Sequence, residues 1–307
     1  MTNTKKFHKR SFHNDLYDFP ELIKSEKSLE EYVKPNKYGN LSIEFSNPKA
    51  VIALNKALLS FFYGTKNWNI PNDYLCPPIP SRADYVHQIA DLLSFSNKGK
   101  IPKGSYIKGL DVGVGANCIY PIVCNSVYGW SMLGSDIDEV SIQSAQNIVD
   151  INENLKDKIK LVYQKEKSSI FKGVINSNDK LHFTLCNPPF HKSLKDAVSA
   201  NTRKVKNLSK NQKVKSSLNF GGKNNELWCD GGELKFISDM IKESKEFEKN
   251  CLWFTTLVSK KENLDSIQKS LKTIKAKEVK VIDMSHGQKV TRIVAWTFLS
   301  KKEQEEF

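Results

Sequence analysis

The sequence predicts an α/β fold with a mainly parallel sheet, and three features carry that prediction. Short apolar runs of strand character alternate with segments of helical periodicity through most of the chain. A glycine-rich turn, Gly113-Val114-Gly115, joins one such strand to a helix, as at the carboxyl edge of an open sheet. The last two strands are separated by Ser285–Thr291, too short for a crossover helix, so they close the sheet as an antiparallel pair.

Residues 1–45 interleave Phe7, Phe12, Tyr17 and Phe19 with His8, His13 and basic side chains, and read as an N-terminal extension. Aromatic rings among positive charges either stack on unpaired bases or pin the segment to the domain surface. The histidines lack a metal-like partner set and read as ordinary polar residues. Asn47-Pro48 then supplies a cap and a first-turn proline. Ala50, Val51, Leu54, Ala57, Leu58, Phe61 and Phe62 recur at helical spacing up to Gly64. A proline-rich loop over Ile70–Pro80 leads to a second helix, with Ser81 and Asp84 as an approximate capping box and an end near Phe95. Arg82 falls in its first turn, where the helix dipole mildly disfavours a cation and where a ligand or solvent must accommodate it.

Strands follow at Tyr106–Val112, Trp130–Ser135, Lys160–Gln164 and His182–Cys186, with helices over Ala116–Tyr128 and Glu139–Asn152. The C-terminal third adds a helix over Glu233–Glu248, a strand over Cys251–Val258 and a helix over Glu262–Ile274. The closing pair spans Val279–Met284 and Arg292–Leu299.

A chain of 307 residues with 39% hydrophobic composition supports a sizeable core. No apolar run reaches the roughly 18 residues of a membrane span, and the polar start Met1–Lys6 is unlike a signal peptide. A cytoplasmic protein without membrane contact is therefore expected. The six cysteines show no Cys-x-x-Cys or paired histidine spacing, which argues against a disulfide framework and leads us to expect no metal.

The net charge of +13 is concentrated. Residues 1–14 hold Lys5, Lys6, Lys9 and Arg10 with no acid. Residues 191–225 hold Lys192, Lys195, Arg203, Lys204, Lys206, Lys210, Lys213, Lys215 and Lys223 against Asp196 alone. The two segments contribute +4 and +8, which is 12 of the net +13. Such segregation is either the footprint of a polyanion partner or a pair of solvated charge runs.

Three strand ends carry the chemistry. Leu110-Asp111-Val112-Gly113-Val114-Gly115 places glycines where backbone can approach a ligand. The dinucleotide fingerprint stays incomplete, because Cys118 stands where its third small residue belongs. Asp136 ends the next strand, where a carboxylate serves either as a partner of ribose hydroxyls or as a helix cap. Asn187-Pro188-Pro189-Phe190 ends the fourth strand with a carboxamide acceptor, two prolines and a flat apolar ring. By itself that tetrad is either a proline turn or a clamp for a planar amine. In a parallel sheet Asp111, Gly113, Asp136 and Asn187 share one crevice, which joins a nucleoside-containing ligand to an amine.

At these residues the chain resembles the S-adenosylmethionine-dependent amino methyltransferases, whose signature is Asp/Asn-Pro-Pro-Tyr/Phe after the fourth strand. The likeness extends to Arg10–Asn14, Pro78–Arg82, Leu110–Pro121, Cys186–Phe190, Asn219–Gly222, Glu226–Trp228, Gly231–Glu233, Gly287–Lys289 and Ala295–Phe298. Together they resemble the RlmF family of bacterial 23S ribosomal RNA (adenine-N6)-methyltransferases, which has eukaryotic relatives acting on spliceosomal and messenger RNA. The tract Lys192–Lys215 matches least.

The resemblance implies a Rossmann-like class I methyltransferase with a seven-stranded sheet over residues 46–305, interrupted by a basic insertion at 191–232. It implies S-adenosyl-L-methionine as cofactor and N6-methylation of a 23S adenine, position 1618 in the family. Gly113, Asn117 and Asp136, with Asp111 and Gly115, would contact the cofactor, and Arg82 its methionine carboxylate. Asn187 and the Pro188 carbonyl would accept from the adenine N6, Phe190 would stack on the base and Pro189 would border it. Lys5, Lys6, Arg10, Arg203, Lys204, Lys206 and Lys210 would contact ribosomal RNA of the large subunit, naked or in an assembly intermediate. The protein is expected to act as a monomer. Rival readings are a protein glutamine N5 methyltransferase, a DNA adenine N6 methyltransferase and a non-catalytic RNA-binding scaffold. The basic segments favour nucleic acid, and the intact Asn187, Phe190, Gly113 and Asp136 argue against a decayed scaffold.

Overall fold

The computed structural model describes residues 6–193, 224–286 and 289–307. Lys5, Arg203, Lys204, Lys206 and Lys210 lie outside the described residues, as do Gly287 and Gln288 of the closing turn.

Seven strands make one sheet: β1 (Lys108–Val112), β2 (Ser131–Asp136), β3 (Ile159–Tyr163), β4 (Leu181–Cys186), β5 (Cys251–Val258), β6 (Glu278–His286) and β7 (Lys289–Thr297). Their order is β3-β2-β1-β4-β5-β7-β6. The first five are mutually parallel, and β7 runs antiparallel to both β5 and β6. Chain order reverses beside β1, between β1 and β4. In an open sheet that reversal opens a crevice at the carboxyl ends of the strands.

Both faces are covered. Helices α1 (Phe19–Ser25), α2 (Pro48–Tyr63), α3 (Ile79–Ser96), α4 (Ile119–Tyr128) and α5 (Glu139–Ile151) contribute to the larger core cluster. After the short α6 (Asn224–Leu227), helices α7 (Gly232–Ser244) and α8 (Leu264–Thr273) build the second cluster, and α9 (Lys301–Glu305) ends the chain. Side chains alternate along each strand, so Leu110 and Val112 of β1 join the second cluster. Asp111 between them faces the α3 and α4 layer instead.

Sequence expectations hold with shifted ends. Asn47 caps α2 by accepting from the Lys49 and Ala50 N–H groups, and Gly64 ends it in the left-handed region. Helix α3 starts at Ile79 rather than Ser81, with prolines before and within its first turn. The expected capping box is therefore absent: the Ser81 hydroxyl donates to the Pro78 carbonyl, and Asp84 is buried against the His8 N–H. Helix α4 starts at Ile119 instead of Ala116, because the chain first turns through a left-handed Cys118. The closing strands run on to His286 and back from Lys289, so their pairing extends further than the sequence suggested.

The N-terminal stretch is part of the fold. Phe19, Leu22, Leu29 and Ile43 belong to the main core. Phe12 stacks on Phe62 of α2 with ring centroids 5.5 Å apart. His13 bridges the hydroxyls of Tyr63 and Tyr17 at 2.8 and 2.9 Å. Of the two roles open to these aromatics, Phe12, Tyr17 and Phe19 pin the segment to the domain.

Candidate active site

The strand register creates the site. Val112 pairs with Ser135 on one side and with Cys186 on the other. The residues that follow, Gly113, Asp136 and Asn187, therefore leave the sheet side by side. They line a cavity of about 490 Å³ together with Arg82 and Asn117.

The glycine loop hooks over the end of β2. Gly113 and Val114 both donate their N–H to the Ser135 carbonyl at 2.9 Å, and Gly115 donates to Asp136 Oδ2 at 2.9 Å. Gly113 sits at φ +77 with no atom within 4 Å of where a Cβ would stand, so its bare backbone fronts the cavity. This wiring selects among nucleoside ligands. A pyrophosphate needs free backbone donors at such a loop. Here three consecutive N–H groups are already spent inside the protein, which fits a nucleoside ligand without phosphate.

Asp136 faces the cavity but is enclosed by protein on most sides. Burial raises its carboxyl above the usual range, while N–H bonds from Asp138 and Gly115 oppose the rise. Each oxygen accepts one backbone bond and keeps a further lone pair for a ligand hydroxyl. Asp138 caps α5 and accepts from Tyr74 at 2.6 Å, fixing the neighbouring wall.

Asp111 is placed differently from the expectation that it contacts the cofactor. It is buried on the α3 and α4 side of β1, is not among the lining residues, and neither oxygen has a hydrogen-bond partner among the described residues. Burial, then the Asp136 charge, pushes its carboxyl well up, with Arg82 opposing. The period-two alternation of β1 is the reason: residues lining the crevice lie beyond the strand end, and Asp111 lies within it. Arg82 does reach the cavity, its guanidinium over the Tyr120 ring at 5.6 Å from the centroid.

The tetrad occupies the other end. Asn187, Pro188 and Pro189 line the cavity, and Asn187 Oδ1 is buried with no partner among the described residues. Burying a carboxamide oxygen unpaired costs about 1–3 kcal/mol, so it is a standing invitation to a donor. Phe190 is half-buried and is not among the lining residues. An aromatic wall comes instead from Trp228, which the sequence reading left without a role. A parallel bridge between His191 and Trp228 holds it there, with His191 donating to the Leu227 carbonyl and accepting from Cys229. Glu226, equally unassigned, closes the rim by accepting the Leu75 N–H at 3.0 Å. The one hint in the sequence was the family likeness at Glu226–Trp228, which named the stretch without giving it a role.

The basic residues divide. Lys6 is exposed. Arg10, expected at RNA, is instead tied to the domain: its Nε donates to the Tyr128 hydroxyl at 3.1 Å and one terminal nitrogen donates to the His87 carbonyl and pairs with Asp91, both at 2.8 Å. A guanidinium held by three partners on α3 and α4 anchors the N-terminal segment to the domain.

A parallel sheet closed by an antiparallel pair, with a glycine loop, a carboxylate and an Asn-Pro-Pro-Phe tetrad at adjoining strand ends, defines a Rossmann-like class I methyltransferase. A family described as RNA methyltransferase matches residues 1–300. The chain belongs to this family. It is 53% identical to ribosomal RNA large subunit methyltransferase F of Photobacterium profundum, over 98% of this chain and 94% of that one. The protein of the same name from Flavobacterium psychrophilum is 54% identical, over 97% and 95%. Among solved structures, the human METTL16 catalytic domain in complex with a MAT2A 3′UTR hairpin superposes with a TM-score of 0.80 at 29% identity, covering 96% of each chain. The N-terminal domain of human METTL16 in complex with SAH gives 0.75 at 26% identity, covering 96% of this chain and all of that one.

Proposed function

We propose that the protein transfers a methyl group from S-adenosylmethionine to the exocyclic N6 of an adenine in ribosomal RNA of the large subunit. The observation that carries this reading is Asn187 Oδ1, a buried acceptor without a partner among the described residues, set by strand register beside the glycine loop. Relatives over half identical and named for large-subunit ribosomal RNA support the substrate class. The adenine at 23S position 1618 is the target that the family resemblance singles out.

The residues present fit the cofactor. Asp136 would take its ribose hydroxyls, Arg82 its carboxylate, and the Gly113 and Gly115 backbone its flank beside Asn117. When bound, S-adenosylmethionine supplies an electrophilic methyl group. Asn187 Oδ1 and the Pro188 carbonyl would each accept one N6–H, turning the nitrogen lone pair toward that methyl. No strong base is required: positioning supplies most of the acceleration, and the N6 proton leaves to water once the new N–C bond has formed. Taking the adenine out of its stack costs a few kcal/mol. Phosphate contacts from Lys5, Lys6 and the basic insertion 191–232, with Arg203, Lys204, Lys206 and Lys210, would offset that cost. The reading takes the protein as cytoplasmic and monomeric, and light scattering at micromolar concentration checks the monomer.

The test is transfer of labelled methyl to large-subunit RNA by the purified chain. N6-methyladenosine should form, and Asn187→Ala should abolish it while S-adenosylhomocysteine still binds. Label found only in protein or only in DNA overturns the RNA reading.

A further inference from the structure

The indole of Trp228 lines the same cavity as Asn187, and its Nε1 is buried without a hydrogen-bond partner among the described residues. A buried N–H left unpaired is as costly as the unpaired Asn187 oxygen. Its position says which ligand it serves. The His191–Trp228 bridge fastens this residue to the chain directly after the tetrad, at the carboxyl end of β4. Asp136 and the glycine loop, which fit a nucleoside cofactor, stand at the ends of β2 and β1.

We propose that Trp228 is a specificity-determining residue whose indole N–H donates to a ring nitrogen of the target base, beside the amine that Asn187 accepts. This rests on the adenine reading above. An acceptor next to a donor is the complement of an adenine edge, on which the N6 amine is flanked by the lone pairs of N1 and N7. Guanine presents the reverse on its Watson–Crick edge, with O6 facing the Asn187 oxygen and N1–H facing the indole N–H. Two like-with-like contacts in a dry site make a strong rejection. Cytosine matches the polarity of the pair but lacks the second ring of a purine. The bridge keeps this donor in register with the tetrad, so one short piece of main chain sets both halves of the base-reading pair.

The experiment compares wild type and Trp228→Phe on a large-subunit RNA fragment carrying adenosine, 1-deazaadenosine or 7-deazaadenosine at the methylated position. Wild-type transfer to the unmodified RNA is the control for the underlying function: if that is absent, the adenine reading has failed and not merely this assignment. With it present, one deaza substrate should lower the wild-type kcat/KM roughly five- to tenfold, the size of one lost hydrogen bond. Trp228→Phe should lose a similar factor on unmodified RNA and nothing further on that deaza substrate, with S-adenosylhomocysteine affinity unchanged. A purely packing role would give losses that multiply. Equal wild-type rates on all three substrates overturn the proposal whether or not the variant folds, as do multiplying losses in the variant.

Discussion

Glu226 Oε2 accepts the Leu75 backbone N–H at 3.0 Å, joining two cavity-lining residues 151 positions apart. The bond ties the C-terminal part of the basic insertion to the loop before α3, and so sets the width of the cavity beside Gly115. Glu226→Ala strands a backbone donor, at about 1–3 kcal/mol. It should weaken S-adenosylhomocysteine binding about tenfold by calorimetry, whereas Glu226→Gln, which keeps an acceptor oxygen, should retain most of the affinity.

Gly134 of β2 lies under the glycine loop. A Cβ there would stand 2.9 Å from Val114 Cγ2 and 2.8 Å from Leu161 Cδ2. Overpacking of this kind costs about 1–3 kcal/mol. Gly134→Ala should lower Tm by a few degrees and weaken cofactor binding as well, because Val114 must lift and carry Gly113 with it. Unchanged cofactor affinity would separate the loop from its seat.

Histidine burial gives the fold a pH dependence. Burial pushes His13 down to about 4 from 6.5, so the folded chain keeps it neutral while the unfolded chain protonates it. Below pH 6.5 the unfolded state binds the extra proton; stability is full above that value and is lost as pH falls toward 4. His87 and His182 shift the same way for the same first cause. Tm measured between pH 7 and 4.5 should therefore fall, and His13→Gln, which is destabilised at neutral pH by losing the tyrosine bridge, should show the shallower slope.

Arg10 and the insertion lysines should behave as opposites. Arg10→Ala should speed proteolysis of the N-terminal segment, since it frees Asp91 and Tyr128 of a cation. The salt dependence of RNA binding should stay as it was. Neutralising Lys204, Lys206 and Lys210 together should leave proteolysis unchanged and reduce the slope of log affinity against log salt by about two to three. Equal slopes in that variant and wild type would remove the insertion as a phosphate contact.

Much of this was legible in the sequence for a physical reason. Period-two and helical patterns are imposed by burial, so six of the seven strands of the large sheet and most of the expected helices fell within two residues of where the periodicity placed them. Gly113, Asp136 and Asn187 were legible as a site because each follows a strand end, and parallel registry does the rest. Asp111 was misplaced because a motif does not say which face of its strand a residue takes. The anchoring of Arg10 was not legible, because a cluster of positive charge does not reveal which member has an internal partner. Trp228, Glu226 and Leu75 reach the cavity through the path of the chain rather than any local pattern, and no periodicity encodes that. The closing strands were drawn too short because backbone pairing in a two-stranded ribbon continues past the last apolar alternation.

The bridge between His191 and Trp228 has a consequence for how such a protein can diversify. It fastens the two ends of residues 192–227 at one point beside the tetrad. A segment anchored in that way can be lengthened or exchanged at little thermodynamic cost, because closure entropy grows only with the logarithm of length. Replacement of the part before Glu226 leaves the tie to Leu75, and with it the ends of β1, β2 and β4, as they are. The cavity and the basic segment are thus separable cassettes: selection can rewrite the charge pattern of the one while the geometry at the strand ends is inherited intact.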